Sequence, residues 1–434
     1  MSARSAFVAW AVLAIALPAA ASAQAHADSL RLDVLQTAAE RHDPRAQQLE
    51  IRESQSALRL RSIADERLPS FTGSALAQHQ SVVTEFPAVP GRPAVALLHD
   101  TYDAHVELAE PLLDPTRAAR AAAERAQLAR ARADVRTALY EVRRQVNANF
   151  FTVAALSARH EAVAAAIADL ETQARVADAR VRNGAALRGE LSAIRAELLR
   201  RRQDDAQILA DRDAALRVLA DLSGVALPSD APIALPALER LVAESRARQD
   251  SIEARPELAR FERMRDVLSR QADVVGAQTR PRVSAFVRGG VGRPGLDILS
   301  TTSKTYWIGG VEVHWAPFDW GRTTRERQAL ELERDAVSTD ASAFRDALRR
   351  QTVNDLSAIG RLEQVLASDD EIVALREQIV REATARFRES TITAAEYVDR
   401  QTELLAARIS RGLHRVELAQ ARATYLTTLG LQVR

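Results

Sequence analysis

The sequence from about Arg322 to Phe387 contains no proline and a single glycine, Gly360. Because nothing else in it breaks a helix, this stretch predicts one continuous helix. At about 1.5 Å per residue, the helix would be roughly 100 Å long, far more than a compact globular domain needs. The fold must therefore contain an extended structure that such a helix can follow.

The chain repeats itself once. Pro44 and Pro69 recur as Pro256 and Pro281, with a shift of 212 residues. A shift of 205 relates Val106-Glu107-Leu108, Asp114 and Arg117 to Val311-Glu312-Val313, Asp319 and Arg322, and a shift of 206 relates Arg182, Glu190, Glu197 and Gly224 to Arg388, Glu396, Glu403 and Gly430. A period this long indicates an internal duplication, in which each half supplies the same structural unit.

Residues 1–23 have the layout of a secretory signal peptide. Arg4 precedes an apolar run from Ala6 to Leu17, and the small residues Ala21-Ser22-Ala23 follow. A membrane anchor would need about 18 or more apolar residues, so we expect cleavage before Gln24. We expect no later stretch apolar enough for a membrane helix. With no cysteine in the chain, a lipidated N-terminal cysteine, disulfides and thiolate metal sites are excluded.

The composition argues against nucleic-acid binding and against catalysis. The 59 basic and 58 acidic residues cancel, so nucleic acid is not an expected partner. The sequence has no glycine-rich phosphate loop, no His-Glu-x-x-His and no Gly-x-Ser-x-Gly. We therefore expect no enzyme, no catalytic residue and no cofactor. The histidines near the predicted strands are too scattered to predict a metal site: His79, His99, His105 and His314.

Each half is predicted to contain two strands followed by a long helical hairpin. The first half, residues 24–227, would have helices at 30–40 and 44–67, strands at about 71–83 and 101–111, and a hairpin at about 115–223. Residues 228–250 form a proline-containing linker and a short equatorial helix. The second half, residues 251–434, would have a helix at 256–277, strands at about 282–291 and 304–316, and a hairpin at about 322–429.

The predicted strands alternate between apolar and polar residues. From Thr101 to Leu108, for example, every second residue is apolar. Strands of this length with unlike faces suit the wall of a transmembrane barrel, and they equally suit any half-buried sheet. The four strands would have open edges, and the helices would have narrow apolar stripes that the chain itself does not cover. A ring of several copies would close both.

The order of these elements resembles the TolC-like outer-membrane efflux protein family. The resemblance rests on Asp43-Pro44 and Arg255-Pro256 at the repeat starts, and on Arg67-Leu68-Pro69 and Arg280-Pro281-Arg282 at the helix-to-strand breaks. It also rests on Ala316-Pro317-Phe318-Asp319-Trp320-Gly321-Arg322 at the strand-to-helix corner. The first half departs from the pattern there, with Leu113-Asp114-Pro115-Thr116.

The resemblance implies a mainly α fold with a transmembrane β-barrel. A homotrimer would combine four strands per chain into one twelve-stranded barrel, continued by a periplasmic α-helical barrel. The implied function is the exit duct of a tripartite efflux or type I secretion system, in the outer membrane of a diderm bacterium. The implied partners are outer-membrane lipid, a periplasmic membrane-fusion adaptor and an inner-membrane pump of the RND or ABC type. The alternative is a periplasmic coiled-coil scaffold or adaptor without a pore.

The resemblance also assigns roles at the hairpin tips. Adaptor docking would fall on Arg182, Asn183, Gly184 and Ala185, and on Arg388, Glu389, Ser390, Thr391 and Ile392. Glu396 and Asp399 match the family's paired acidic positions at the pore constriction, and Glu190 matches the acidic position of the first tip. Rings of such carboxylates would favour cations. Ile392 occupies the usual position of a basic partner, for which Arg388 is a possible substitute.

Two of these assignments have simpler alternatives. Thr393 and Glu396 also fit a capping box, in which Glu396 would only satisfy the start of a helix. The tryptophans Trp307, Trp315 and Trp320 fit an interfacial aromatic belt, and they equally fit ordinary packing at the strand-to-helix corner.

Overall fold

The computed structural model describes residues 29–86, 90, 95–248 and 252–432. The predicted signal peptide, and residues 87–89 and 91–94 of the proline-containing loop between the first two predicted strands, lie outside the described residues. The helices are α1 (Leu32–His42), α2 (Gln47–Asp65), α3 (Pro115–Arg182), α4 (Arg188–Ser223), α5 (Glu239–Arg248), α6 (Pro256–Ala277), α7 (Arg322–Arg388) and α8 (Ala394–Thr428). The strands are β1 (Ser70–His79), β2 (Glu85–Phe86), β3 (Val95–Ala96), β4 (Asp100–Leu113), β5 (Arg282–Arg293) and β6 (Lys304–His314).

Local capping sets where the two long helices begin. α3 starts with Pro115, and the Asp114 carboxylate accepts a hydrogen bond from the Thr116 N–H at 2.9 Å. Ahead of α7, Asp319 accepts one from the Thr323 N–H at 2.8 Å. Both aspartates satisfy amide groups that the first turn leaves unbonded. Asp114 is itself the N-cap of α3, whereas Asp319 lies two residues before Gly321, the N-cap of α7.

Each long helix pairs with a shorter return helix, so that α3 packs along α4 and α7 along α8. The main buried cluster lies where the two hairpins meet α1 and the linker, around Val146, Phe150, Leu219 and Leu426. Part of α3 is long and apolar enough to cross a membrane by length and composition, contrary to our expectation. In the structure, however, α3 packs against α4, α6 and α8, as a helix of a bundle does.

The four long strands form one antiparallel sheet in the order β1, β4, β5, β6, and β2 and β3 form a separate small hairpin. β1 is shorter than predicted and ends at His79, while β4 is longer and continues to Leu113. Ser70 pairs with Ala109 in the first half, and Arg282 pairs with His314 in the second. These residues are related by the shifts of 212 and 205 seen in the sequence, so the duplication extends to the register of the strand pairs.

The apolar face of this sheet is its exposed face. Phe71, Leu108 and Val287 lie side by side across three strands and are 74%, 45% and 54% exposed. The opposite face is polar and internally bonded: Arg288 Nη2 lies 2.5 Å from the Glu107 carboxylate. A half-buried sheet of a water-soluble protein would have the reverse arrangement, with its apolar face against the core.

The polar face is also the crowded one. A Cβ atom on Gly290 would lie 2.5 Å from the carbonyl oxygen of Ala104 and 2.6 Å from the Cβ of His105. Glycine in a strand often marks a bend or a close approach of another backbone. Gly290 therefore lets β5 approach β4 closely on the polar side of the sheet.

Candidate functional site

The first hairpin tip is a glycine-terminated turn. α3 ends in a Schellman motif, in which the Ala185 N–H donates to the Arg180 carbonyl at 2.8 Å and the Gly184 N–H donates to the Val181 carbonyl at 3.1 Å. Gly184 has φ +70, in the left-handed region that glycine adopts without strain. Leu187 is the N-cap residue of the return helix α4; its side chain makes no capping hydrogen bond and is largely exposed.

The second tip repeats this turn with a serine in place of the glycine. The Thr391 N–H donates to the Arg386 carbonyl at 2.9 Å, and the Ser390 N–H donates to the Phe387 carbonyl at 3.1 Å. Ser390 has φ +62, which costs a residue with a Cβ about 1–2 kcal/mol. The second tip thus keeps the backbone of the first in spite of an unfavourable residue.

One arginine of the first hairpin holds the two tips together. Arg180 Nη1 donates to the Phe387 carbonyl at 2.8 Å, and its Nη2 donates to the Ser390 hydroxyl. The guanidinium also lies 5.7 Å from the centre of the Phe387 ring. The strained position of Ser390 therefore carries a hydroxyl that glycine could not supply to Arg180.

A small aromatic cluster lies beneath this contact. The rings of Phe387 and Tyr397 are stacked with centroids 5.2 Å apart, and both side chains are buried. Burial raises the pKa of the Tyr397 hydroxyl above its ordinary value, although Gln401 Nε2 donates to that hydroxyl at 2.7 Å. The cluster includes residues of all four hairpin helices, so in this structure the two hairpins are packed as one unit at their tips.

The predicted constriction carboxylates are accessible. Glu396 and Asp399 are exposed and Glu190 is half-buried. Among the described residues, none of the three carboxylates makes a hydrogen bond or an ion pair. Thr393 does cap α8, because its hydroxyl accepts the Glu396 N–H at 3.1 Å, but Glu396 gives no side-chain bond in return. The capping-box alternative therefore accounts for Thr393 and leaves the Glu396 carboxylate without a structural task.

The residues predicted for docking lie at the same end of the molecule. Asn183 and Glu389 are the C-cap residues of α3 and α7, and the exposed Arg182 pairs with Asp178 within its own helix. Ile392 is half-buried against the aromatic cluster, so it serves packing. The other predicted docking residues are exposed: Gly184, Ala185, Arg388, Ser390 and Thr391.

No active-site arrangement is found in the described part of the chain. A groove of about 1060 Å³ lies between α3, α4, α8 and the linker. His160 Nδ1 lies 2.6 Å from Asp205 there, but the nearby Ser157 hydroxyl accepts from Arg212 Nε and makes no hydrogen bond to His160. Three or more potential metal-ligating side chains do not cluster anywhere in residues 29–86, 90, 95–248 and 252–432.

The tryptophans at the corner are exposed to solvent. Trp307, Trp315 and Trp320 are 77%, 58% and 80% exposed, and Phe318 packs edge-to-face against Trp320. Trp307 lies near one end of β6, whereas Trp315 and Trp320 follow its other end. Trp315 Nε1 also donates to the Thr279 carbonyl at 3.1 Å. Two of the rings thus make contacts at the corner, while more than half of the surface of each of the three is exposed.

Comparison with solved structures identifies the fold. The outer membrane protein VceC of Vibrio cholerae is 17% identical, with a TM-score of 0.66 over 93% of this chain and 97% of that chain. The Campylobacter jejuni outer membrane channel CmeC is 15% identical, with a TM-score of 0.65 over 92% and 85%. The Neisseria gonorrhoeae outer membrane channel MtrE, in its open state, is 15% identical, with a TM-score of 0.66 over 93% and 90%.

This chain has the fold of the TolC-like outer-membrane channels. No protein-family model and no curated protein matches it. The resemblance drawn from the sequence is thus confirmed at the level of the fold, and the TolC-like topology accounts for the duplicated strand pairs and hairpins of this chain.

Arg180 could not be singled out from the sequence. The family pattern suggested Arg388 as the basic residue at the tips, but Arg388 is exposed and makes no hydrogen bond or ion pair among the described residues. Arg180 is one of 59 basic residues and has no distinguishing motif. Arg180 lies in the last turn of α3, before the tip glycine. That position indicates a contact between the tips only when the second tip is known to lie beside the first.

Proposed function

We propose that this protein is the exit duct of a tripartite efflux or secretion system. Three copies would close a twelve-stranded barrel in the outer membrane, and their hairpins would form a tunnel across the periplasm. The protein would conduct solutes passively and would not be an enzyme. A periplasmic membrane-fusion adaptor would join it to an inner-membrane pump of the RND or ABC type.

The observation that carries this proposal is the exposed apolar face of the sheet. An apolar band on the outside and bonded polar groups on the inside are what a barrel wall in lipid requires, because hydrocarbon cannot hydrogen-bond polar side chains. The exposed rings of Trp307, Trp315 and Trp320 near the two ends of β6 fit the two interfaces of such a membrane. The solved neighbours of the same fold include proteins described as outer membrane channels.

We assign the constriction to the hairpin tips. Glu396 and Asp399 have exposed carboxylates without partners among the described residues, and Glu190 occupies the equivalent position of the first tip. Three copies would place these carboxylates in rings, which attract cations and bind divalent ions. The contacts of Arg180 with Phe387 and Ser390 would hold the tips in a narrow state.

We assign adaptor docking to the exposed residues of the same tips. The largely exposed Leu187 lies beside Gly184 and Ala185, at a helix start that a polar residue would cap better. An exposed apolar side chain at the N-cap of α4 suits contact with a protein partner.

The runner-up is a periplasmic scaffold without a pore. A scaffold could use the helical hairpins, but it would not need strands whose apolar side chains face outward. The two functions predict different solubility, because the duct would be extracted from outer membranes only with detergent.

Single-channel conductance in planar bilayers tests the duct and its constriction together. The purified protein should give a small cation-selective conductance that divalent cations block. Glu396→Ala combined with Asp399→Ala should raise the conductance and remove the block. Asp340→Ala combined with Glu371→Ala removes the same charge from exposed positions of α7 and should have a much smaller effect.

Each negative result has its own meaning. Folded protein that inserts into membranes but does not conduct would overturn the duct. A conducting pore that responds equally to both double variants would preserve the duct and refute the constriction.

A further inference from the structure

Both edges of the sheet are open within the described residues. β1 pairs only with β4 and β6 pairs only with β5, so each leaves one row of backbone N–H and C=O groups without strand partners. Such groups cannot remain unpaired in hydrocarbon. The edges also continue the outward apolar face, through Phe71 on β1 and Trp307 and Val311 on β6.

The duplication specifies what should lie against these edges. Within each half, the strand pairs have the same register after shifts of 212 and 205 residues. The two halves meet at the β4–β5 pair, where Leu108 lies opposite Val287 and Glu107 lies opposite Arg288. β4 is the last strand of the first half and β5 is the first strand of the second half. If the next copy joins the sheet in the same way, its β1 must pair with β6 in the register of the β4–β5 pair.

We propose that β6 pairs with β1 of a second copy of this chain, with Val313 opposite Ala75, Glu312 opposite Leu76 and Val311 opposite Ala77. These pairs follow from the β4–β5 pairs by adding 205 to the β4 residue and subtracting 212 from the β5 residue. The proposal rests on the proposed duct, because it needs copies arranged in a ring, and it adds the residue register of their contact.

The faces of the sheet agree with this register. Ala75 and Val313 both lie on the apolar side, in line with Leu108 and Val287. Leu76 and Glu312 both lie on the polar side. A slip of one residue would instead align the polar side of one copy, which carries Glu312, with the apolar side of its neighbour, at high cost.

The same register predicts where the contact between copies differs from the contact between halves. Inside the chain, Glu107 is neutralised by Arg288. The equivalent pair between copies is Glu312 with Leu76, and Glu312 makes no ion pair among the described residues. Glu312 would therefore have no cationic partner on the inner face of the barrel. An arginine at position 76 would supply the partner that Arg288 supplies to Glu107.

Disulfide formation tests the register directly, because the natural chain contains no cysteine. Residues opposite each other in an antiparallel pair have Cα atoms about 4.5–5.5 Å apart, which a disulfide can bridge, whereas diagonal neighbours are about 7–8 Å apart. Ala75→Cys with Val313→Cys should convert most of the full-length membrane protein into covalent oligomers that reductant dissociates. Ala75→Cys with Val311→Cys should give several-fold less product.

The outcomes separate this inference from the proposed function. An oligomer in which the Val311→Cys pair links better than the Val313→Cys pair, or in which neither links, overturns the register and leaves the duct standing. Protein that inserts into membranes as a monomer, by chemical cross-linking of the natural chain, overturns both.

A charge variant gives a second measurement that needs no disulfide. Leu76→Arg should raise the temperature at which the oligomer dissociates in detergent, because it places a cation opposite Glu312. Leu76→Arg with Glu312→Gln should lose that rise. If the Leu76→Arg change has the same effect with and without Glu312→Gln, the two residues are not opposite each other and the register is wrong.

Discussion

At the scale of single residues, the two tips differ where the backbone turns. Gly184 and Ser390 occupy equivalent positions of the duplication, and both have positive φ, at +70 and +62. Glycine adopts this backbone conformation without strain in the first tip. In the second tip the serine is strained there, and its hydroxyl accepts a hydrogen bond from Arg180. Equivalent positions of the two halves therefore share a backbone conformation while their side chains have diverged.

Gly184→Ala should loosen the first tip by about 1 kcal/mol, because nothing crowds this glycine and only the left-handed backbone opposes a side chain. Hydrogen exchange of the Ala185 amide, which the turn protects, should become about five-fold faster. Gly189→Ala is the matched control, since Gly189 also has open space around it but lies inside α4. Equal exchange in the two variants would show that backbone strain does not matter at this turn.

At the scale of whole elements, arginine contacts connect the two hairpins. Arg180 joins the end of α3 to the end of α7, and Arg201 on α4 donates to Thr402 on α8 at 3.1 Å. Glu197 orients Arg201 through an ion pair at 2.7 Å. These contacts lie along the tip half of the hairpins, where fewer apolar residues are buried than near α1 and the linker.

Arg180→Ala should separate the hairpin tips, because three contacts of its guanidinium with the second hairpin are lost: the Phe387 carbonyl, the Ser390 hydroxyl and the Phe387 ring. We expect a larger single-channel conductance and faster hydrogen exchange in the last turn of α7. Arg188→Ala removes an exposed arginine of the same tip and should leave both unchanged. If the two variants behave alike, the Arg180 contact does not restrain the tips.

The contact at Glu197 should make hairpin stability depend on pH. Burial alone would raise the pKa of Glu197, but the hydrogen bond from Arg200 and the charge of Arg201 outweigh it, so the pKa is lowered. A lowered pKa in the folded state stabilises the fold above the unfolded value, and this stability is lost as the pH falls through the folded value.

Glu197→Gln should therefore destabilise the hairpin by roughly 1–3 kcal/mol at neutral pH, the usual range for a hydrogen bond to a charged group. The difference from the natural chain should shrink in acid, starting below the ordinary glutamate pKa of about 4.3 and disappearing as the pH falls through the lower folded-state pKa. Thermal unfolding followed by circular dichroism at both pH values measures it. Glu371→Gln, at an exposed carboxylate of α7, should change stability little at either pH. A Glu197→Gln deficit that persists in acid would exclude the ionic contact as its cause.

At the scale of the whole molecule, the proposed duct would place the sheet in lipid and the helical hairpins in water. Trp307, Trp315 and Trp320 are the tryptophans that follow the predicted signal peptide, and all three lie on or near β6. Their fluorescence therefore reports on β6 and on the corner between β6 and α7, and on no other part of the described chain.

Variants that keep one of these tryptophans, with phenylalanine at the other two, should all be quenched by brominated lipid after reconstitution. Quenching should be shallow for each, because both ends of β6 would lie near an interface. Aqueous iodide should quench them weakly in vesicles and strongly in unfolded protein. Strong iodide quenching without lipid quenching in folded protein would place the sheet in water and support the scaffold.

The helix and strand bounds that could be predicted from the sequence are those set by interactions between residues close together in the chain. The bounds of α6 and the start of α3 follow from proline, aspartate and the absence of breakers, all of which act within a few residues. The duplication was readable because both halves kept these local signals. The small β2–β3 hairpin was missed because two-residue strands leave no periodic pattern.

The sequence by itself determined the repeat, the long hairpins and the alternation of the strands, since each depends on neighbours along the chain. Only the tertiary structure decided which face of the sheet is exposed, because alternation is the same whether the apolar side meets a core or lipid. It also decided that Arg180 joins the tips, since that contact spans 207 residues of chain. The strand register, too, depends on backbone groups far apart in sequence, whose pairing no local propensity encodes.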